Sequence, residues 1–175
     1  MRIAFQGEEG AFSHEACLRF APDAQPEPLP SFEAVVEAAG AGADAMLPVE
    51  NTLAGPVEAV TVLLAGAGLR QIGRFTMPIR MMLIGLPGAE LRELRTVASH
   101  PVALKQCRRV IAELGLKAEP VFDTAGAVRL LARQGDRSRA ALASRAAAER
   151  WSLPVLRADV HDQAGNATTF LRLRA

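Results

Sequence analysis

Four short segments place polar or glycine residues where an apolar strand gives way to a helix. They are Phe5-Gln6-Gly7-Glu8-Glu9-Gly10-Ala11-Phe12-Ser13, Leu47-Pro48-Val49-Glu50-Asn51-Thr52, Ala98-Ser99-His100-Pro101 and Phe122-Asp123-Thr124-Ala125-Gly126. A helix start presents unpaired N–H groups and a partial positive charge, so it suits carboxylates. In open α/β sheets such turns lie at the carboxyl ends of strands, where ligands bind. Several of them converging would hold a small dicarboxylate with little net protein charge. Taken singly, each is an ordinary helix start: Ser99 and Asp123 suit N-caps, and Gly7 and Gly10 suit a tight turn. The glycine turn lacks G-x-G-x-x-G spacing and no P-loop lysine follows, which argues against a nucleotide site. Cys17 and Cys107 form no C-x-x-C pair, and His14, His100 and His161 have no metal spacing, so no metal site is expected.

The elements that must position these segments alternate between strand and helix. Arg2 to Phe5 reads as a strand and Ala11 to Phe20 as a helix. Ala21 to Pro30 holds four prolines and reads as an extended surface connection. Ser31 caps a helix over Phe32 to Ala39. Ala45 to Val49 is a strand and Val57 to Ala65 a helix. Pro78 splits Gln71 to Ile84 into two extended pieces, because proline cannot donate to a central ladder. Thr96 to Ser99 is a strand, and His100-Pro101 opens one helix to Leu114, ended by Gly115. Lys117 to Phe122 is a strand, and Asp123 starts a helix to Arg133. Strands at Ala140–Ala143, Val155–Val160 and Thr168–Leu173 follow, with a helix at Arg145–Trp151. This alternation predicts an α/β fold with a mostly parallel sheet in each of two lobes and a cleft between them. The lobes are expected at about 1–75 plus 167–175 and about 76–166.

The chain has 175 residues, a length suited to one domain. Twenty basic against nineteen acidic residues give a net charge of +1, which argues against nucleic acid as a partner. The longest apolar stretch, Ala59 to Leu69, is too short to span a bilayer, so no membrane partner is expected. The N-terminus reads as a strand and not as a signal peptide, and the expected location is the cytoplasm.

Taken together, the segments are far more specific than any one of them. IAFQGEEGAFSHEA (Ile3–Ala16), LPVENTLAGPV (Leu47–Val57), SHPVALKQC (Ser99–Cys107), FDTAGAVRLLA (Phe122–Ala132), AALASRAAAERWSLPVL (Ala140–Leu156) and DVHDQAGNATTFLRL (Asp159–Leu173) follow one family's order. The chain resembles the catalytic domain of prephenate dehydratases and arogenate dehydratases over almost its whole length. The resemblance implies a two-lobed fold like that of the periplasmic binding proteins (type II). It implies conversion of prephenate to phenylpyruvate, water and carbon dioxide in phenylalanine biosynthesis. Aromatisation drives that reaction, so no cofactor is implied. Thr168 matches the threonine that acts on the leaving hydroxyl, and Phe170 the aromatic of the same motif. Glu50, Asn51, Ser99, Gln106 and Thr124 match positions implied to bind substrate. Asn166 matches the first position of the Thr168 motif and fixes the turn; Cys107 matches a family position and reads as core packing; His100 has the chemistry of a base, but its place beside Pro101 fits a structural turn residue at least as well. A homodimer or larger homo-oligomer is implied. The amino-acid-binding ACT-type domain that many members carry is not expected within this chain.

Two positions depart from the family pattern. Thr169 stands where the motif has arginine, and Val102 where the Ser-His-Pro segment continues with glutamine. Threonine cannot replace arginine as a charge or a bidentate binder. Arg74, Arg80 and Arg129 are the candidates to compensate. The alternatives are arogenate dehydration, decarboxylation of prephenate without aromatisation, and a binding module for a small aromatic or dicarboxylic acid without turnover.

Overall fold

The structure is a computed structural model that describes Met1–Ala175. Along the chain run β1 (Arg2–Gln6), α1 (Phe12–Phe20), β2 (Gln25–Leu29), α2 (Phe32–Gly40), β3 (Asp44–Asn51), β4 (Gly55–Pro56), α3 (Glu58–Gly66) and β5 (Arg70–Pro78). Then come β6 (Met82–Ile84), β7 (Thr96–Ser99), α4 (Pro101–Gln106), α5 (Arg108–Glu113), β8 (Lys117–Pro120) and α6 (Thr124–Gln134). The last elements are β9 (Arg139–Ala143), α7 (Arg145–Arg150), β10 (Val155–Arg157) and β11 (Ala167–Arg174). Two compact units result: Met1–Glu8, Phe12–Ile79 and Gly165–Ala175 form one, and Glu9–Ala11 with Arg80–Ala164 the other. The small Glu9–Ala11 segment of the second unit has no counterpart in the sequence-based division.

Each unit is built on one sheet. In the first the order is β2-β1-β3-β11-β5, with β4 paired to β3; in the second it is β10-β6-β9-β7-β8. Both sheets are mixed, which corrects the expectation of mostly parallel sheets. β1 pairs in parallel with β2 and β3, and β7 with β8 and β9, but β11 runs antiparallel to β3 and β5, and β6 antiparallel to β9 and β10. Parallel neighbours need a crossover connection, usually a helix. β6 and β11 are reached from the other unit without a helix, so they enter their sheets against the parallel strands.

Two of the four prolines in the connection expected over Ala21 to Pro30 belong to a strand. Pro26 and Pro28 lie on β2, which pairs only with β1. Gln25 donates to the Met1 carbonyl at 2.8 Å, and Gly7 donates to the Leu29 carbonyl at 3.0 Å. Pro26 and Pro28 alternate with the residues facing β1, so their missing N–H groups fall on the open edge, where proline costs no ladder bond. The break after Pro78 is present, since β5 ends there.

The helix expected from Pro101 to Leu114 is two helices that meet at Cys107, whose φ of −126° leaves the helical range. Asp162, far along the chain, imposes the break. Its carboxylate accepts from the Arg108 and Arg109 amides at 2.8 and 3.0 Å, and its own amide donates to the Gln106 carbonyl at 2.7 Å. It therefore ends α4 and starts α5.

The first core joins Ala4, Val35, Ala39, Leu47, Val60 and Leu171. The second is rich in alanine, with Ala98, Ala125, Ala141, Ala143, Ala147 and Ala148 around Val128 and Leu131. Small side chains let α6 and α7 lie close to their sheet. Full burial of Val128 and Leu131 contributes about 1.5–3 kcal/mol each. Gly10 belongs to this close packing. Its φ is +93°, and a Cβ there would lie 2.7 Å from the Ala147 Cα.

Candidate active site

In the first unit, β3 and β11 bring Asn51 directly opposite Thr168. Directly opposed residues of an antiparallel pair share a face. The Asn51 amide is oriented by its own backbone neighbours: its Oδ1 accepts from the Leu53 and Ala54 amides at 3.0 and 2.9 Å. Nδ2 therefore points across to β11, at 2.8 Å from Asn166 Oδ1, 3.1 Å from the Ala167 carbonyl and 2.9 Å from Thr168 Oγ1. An amide nitrogen only donates. Thr168 Oγ1 thus accepts from Asn51, which leaves its own proton available to donate elsewhere. Thr168 is buried, with 9% of its surface exposed.

The start of β11 is fixed by further bonds. The Thr52 amide donates to the Ala167 carbonyl at 2.9 Å, Thr52 Oγ1 accepts from the Ala167 amide at 2.9 Å, and Ile79 donates to the Asn166 carbonyl at 2.8 Å. Asn166 is buried. Its part in orienting Asn51 could have been suspected from its place two residues before Thr168, but no spacing rule joins it to Asn51 across the sheet.

Alternation along β11 puts Thr169 on the other face, where it stands opposite Glu50 and Thr76. Thr169 and Thr76 hydroxyls are 3.0 Å apart. Glu50 pairs with Arg74 at 3.8 Å, both side chains being more than half exposed. Glu50 is therefore not brought together with Asn51 and Thr168. Of the candidate compensating arginines, Arg74 reaches the residue across from Thr169, whereas Arg80 pairs with Asp159 at 3.8 Å and Arg129 lies on α6 of the second unit. Phe170 follows a register shift and is buried.

The other candidates lie in the second unit. Ser99 is wholly buried, and its hydroxyl donates to the Leu142 carbonyl at 2.6 Å, tying β7 to β9. Gln106 closes α4 and is partly exposed. Thr124 opens α6 behind its cap Asp123, whose carboxylate accepts from the Gly126 amide. A Cβ at Gly126 would come within 3.0 Å of the Asp123 Oδ1, which explains glycine there. His100 is the N-cap of α4: its Nδ1 accepts from the Val102 amide at 3.2 Å. Burial lowers its pKa below the ordinary imidazole value, and the nearby Asp123 charge only partly opposes this. Burial pushes the Cys17 and Cys107 thiols up to about 12, so neither is a thiolate nucleophile at neutral pH.

Two mixed sheets, each flanked by helices, define an α/β protein, and on β11 of the first unit a threonine hydroxyl accepts from a neighbouring amide. The prephenate dehydratase family model matches residues 3–175, and the chain belongs to that family. It is 40% identical over 170 residues to a bifunctional N-acyl-homoserine lactone acylase/prephenate dehydratase of Komagataeibacter europaeus, covering 96% of this chain and 60% of the relative. It is 39% identical over 177 residues to the chloroplastic arogenate dehydratase 3 of Arabidopsis thaliana, covering 99% of this chain and 42% of that one. The crystal structure of an Arthrobacter aurescens prephenate dehydratase in complex with L-Phe superposes with a TM-score of 0.91 at 28% identity, over 99% of this chain and 60% of that one. A tungstate ABC transporter of Geobacter sulfurreducens shares the fold alone, at a TM-score of 0.54, 6% identity and coverage of 99% and 83%. The chain spans about two fifths to three fifths of the length of the curated relatives it matches.

Proposed function

We propose that this chain converts prephenate to phenylpyruvate, water and carbon dioxide. The observation that carries the reading is the Asn51 Nδ2 to Thr168 Oγ1 bond of 2.9 Å. In the reaction the ring carboxylate leaves as carbon dioxide, its bonding pair moves into the ring, and the opposite C–O bond breaks. The oxygen leaves with the C–O bonding pair; the Thr168 hydroxyl donates a hydrogen bond to it as negative charge builds, and a proton from solvent completes the water. A positioned donor of this kind typically contributes ~10²–10⁴-fold. Because Asn51 occupies a lone pair of Oγ1, the hydroxyl needs no reorientation before it donates, which is the advantage of a fixed dipole.

The resemblance adds Glu50, Ser99, Gln106, Thr124 and Phe170. Their exposure separates two kinds of contribution. Glu50, Gln106 and Thr124 have surface with which to meet a ligand, whereas Ser99 and Phe170 act by holding their neighbours. Purified protein incubated with prephenate, with phenylpyruvate followed by absorbance, tests the reading. Product formed no faster than in buffer would sink it, and thermal stabilisation by prephenate without its loss would establish a binding module instead. Arogenate runs in parallel, because plant arogenate dehydratases are among the relatives, and its product would be phenylalanine. N-acyl-homoserine lactone is the third substrate to offer, on the 40% identity to the bifunctional relative. A cytoplasmic homo-oligomer belongs to the same proposal, tested by fractionation and light scattering.

A further inference from the structure

Helix α4 has only six residues and is held at its start by a side chain and at its end by a backbone amide. At its far end the Asp162 amide takes the Gln106 carbonyl at 2.7 Å. At its start Pro101 has no N–H to satisfy, and the Val102 amide is satisfied by His100 Nδ1 at 3.2 Å. The residue before His100 is tied down by its bonds: Ser99 is buried, bonded through its hydroxyl to Leu142, and its carbonyl accepts from Val121 at 2.9 Å. The imidazole is thus the one titratable group in the cap of a short helix that carries Gln106.

An imidazole can accept at Nδ1 only while that nitrogen is unprotonated, with its proton on Nε2. On protonation both ring nitrogens become donors. The Val102 N–H would then face an N–H, and a positive charge would sit at a helix start, where cations are disfavoured. We propose that His100 is a titrating positioning residue: its neutral ring caps α4, and protonation releases the start of the helix that presents Gln106. Activity loss in mild acid then follows from a cap and not from an acid or base in the reaction.

The charged groups around His100 are few. Asp123, at the start of α6, is the one whose field reaches it, and it favours the cation. On the elements packed against α4, Lys117 begins β8 and Arg139 begins β9, both level with Thr96 at the far end of β7. Glu119 stands opposite Ala98 and is taken by Arg139. On α4 itself Lys105 lies in the last turn. Burial outweighs Asp123, so the group titrates below the ordinary histidine value.

The test is a histidine NMR titration between pH 5 and 8, read together with hydrogen exchange at Val102. Loss of one signal in His100→Asn assigns the resonance. The expected midpoint lies below that of a free histidine. Val102 exchange, corrected for its intrinsic pH dependence, should rise about fivefold or more as the ring protonates, the effect of losing a typical N-cap. Asparagine caps well and does not titrate, so His100→Asn should keep the Val102 amide protected throughout, while His100→Ala should expose it at every pH. A midpoint at or above the ordinary value, or Val102 protection that ignores the titration, would overturn the inference. The activity arm rests on the dehydratase reading: the acid limb of turnover should shift down in His100→Asn with kcat at neutral pH retained. An unshifted limb in an active enzyme overturns the link to Gln106, whereas absence of turnover at all pH values counts against the dehydratase reading and leaves the cap to the NMR result.

Discussion

The hydroxyl of Thr168 has a direction because Asn51 has one. Replacing Asn51 by aspartate keeps an acceptor for the Leu53 and Ala54 amides but presents a second acceptor to Thr168. The threonine would then donate to the carboxylate, and its proton would be withdrawn from the leaving group. Asn51→Asp should lower kcat by at least ~10²-fold, about as much as Thr168→Val, with circular dichroism unchanged in both; turnover within a few-fold of the native protein would remove the donor role. Thr169→Arg makes the opposite case. Residue 169 lies on the face away from Thr168, opposite Glu50, which Arg74 already reaches at 3.8 Å. The new arginine would compete with Arg74 for an exposed carboxylate, an exchange worth ~1 kcal/mol or less, so kcat should stay within about twofold. These residues were legible one at a time, through a motif resemblance. That Thr168 accepts from Asn51, and that Glu50 turns to the other face, depends on the register of two strands far apart in the chain, which no local spacing encodes.

Three helix starts were readable from the adjacent residue, but Ser99, which reads as an N-cap, ends β7 instead and His100 caps α4. Ser31 caps α2, Asp123 caps α6, and Pro101 takes the first turn of α4. The division of Pro101–Glu113 was not readable, because its cap comes from Asp162 in the segment leading to β11. Strand direction was lost for a related reason: alternation of strand and helix implies parallel pairing only when each crossover stays within one sheet. Asp162 is therefore where this part of the fold is most open to test. Asp162→Ala leaves the Arg108 and Arg109 amides without their carboxylate and should cost ~1–2 kcal/mol, seen as a lower thermal midpoint and faster exchange confined to the start of α5. A global rise in exchange with no local excess would show that the carboxylate does something other than cap. Gly10→Ala should be more damaging than an exposed glycine substitution. At φ +93° a side chain is strained, and its Cβ would meet the Ala147 backbone at 2.7 Å. A loss of roughly 1–3 kcal/mol is expected for the conformation alone, and an unchanged denaturation midpoint would mean that α7 gives way without cost.

The first unit is made from both ends of the chain, and one buried carboxylate holds them together. Asp44 begins β3 with a side chain that is 1% exposed. Arg172 Nε donates to it at 2.7 Å, and Arg174 donates through Nε and Nη2 at 2.7 and 3.0 Å. Arg172 also holds Asp23, in the connection between α1 and β2, through two bonds of 3.1 Å. Burial alone would raise the Asp44 pKa, but the hydrogen bonds from Arg174 and Arg172, with their charges, outweigh it and leave the carboxyl below its ordinary value. A carboxyl whose pKa falls on folding stabilises the protein above its unfolded value of about 3.9, and that contribution fades as the pH drops through the folded value. Asp44→Asn keeps the shape but leaves two arginines facing a neutral amide. Breaking one partner of a buried pair typically costs ~3–5 kcal/mol, and the partly exposed Arg174 places the expected loss toward the lower end. The gap between native and variant stability in urea should be widest near pH 7, start to close below pH ~4, and be small once the native carboxyl is protonated. A gap that stayed constant into acid would mean that the ion cluster is not what joins the last strand to the start of β3.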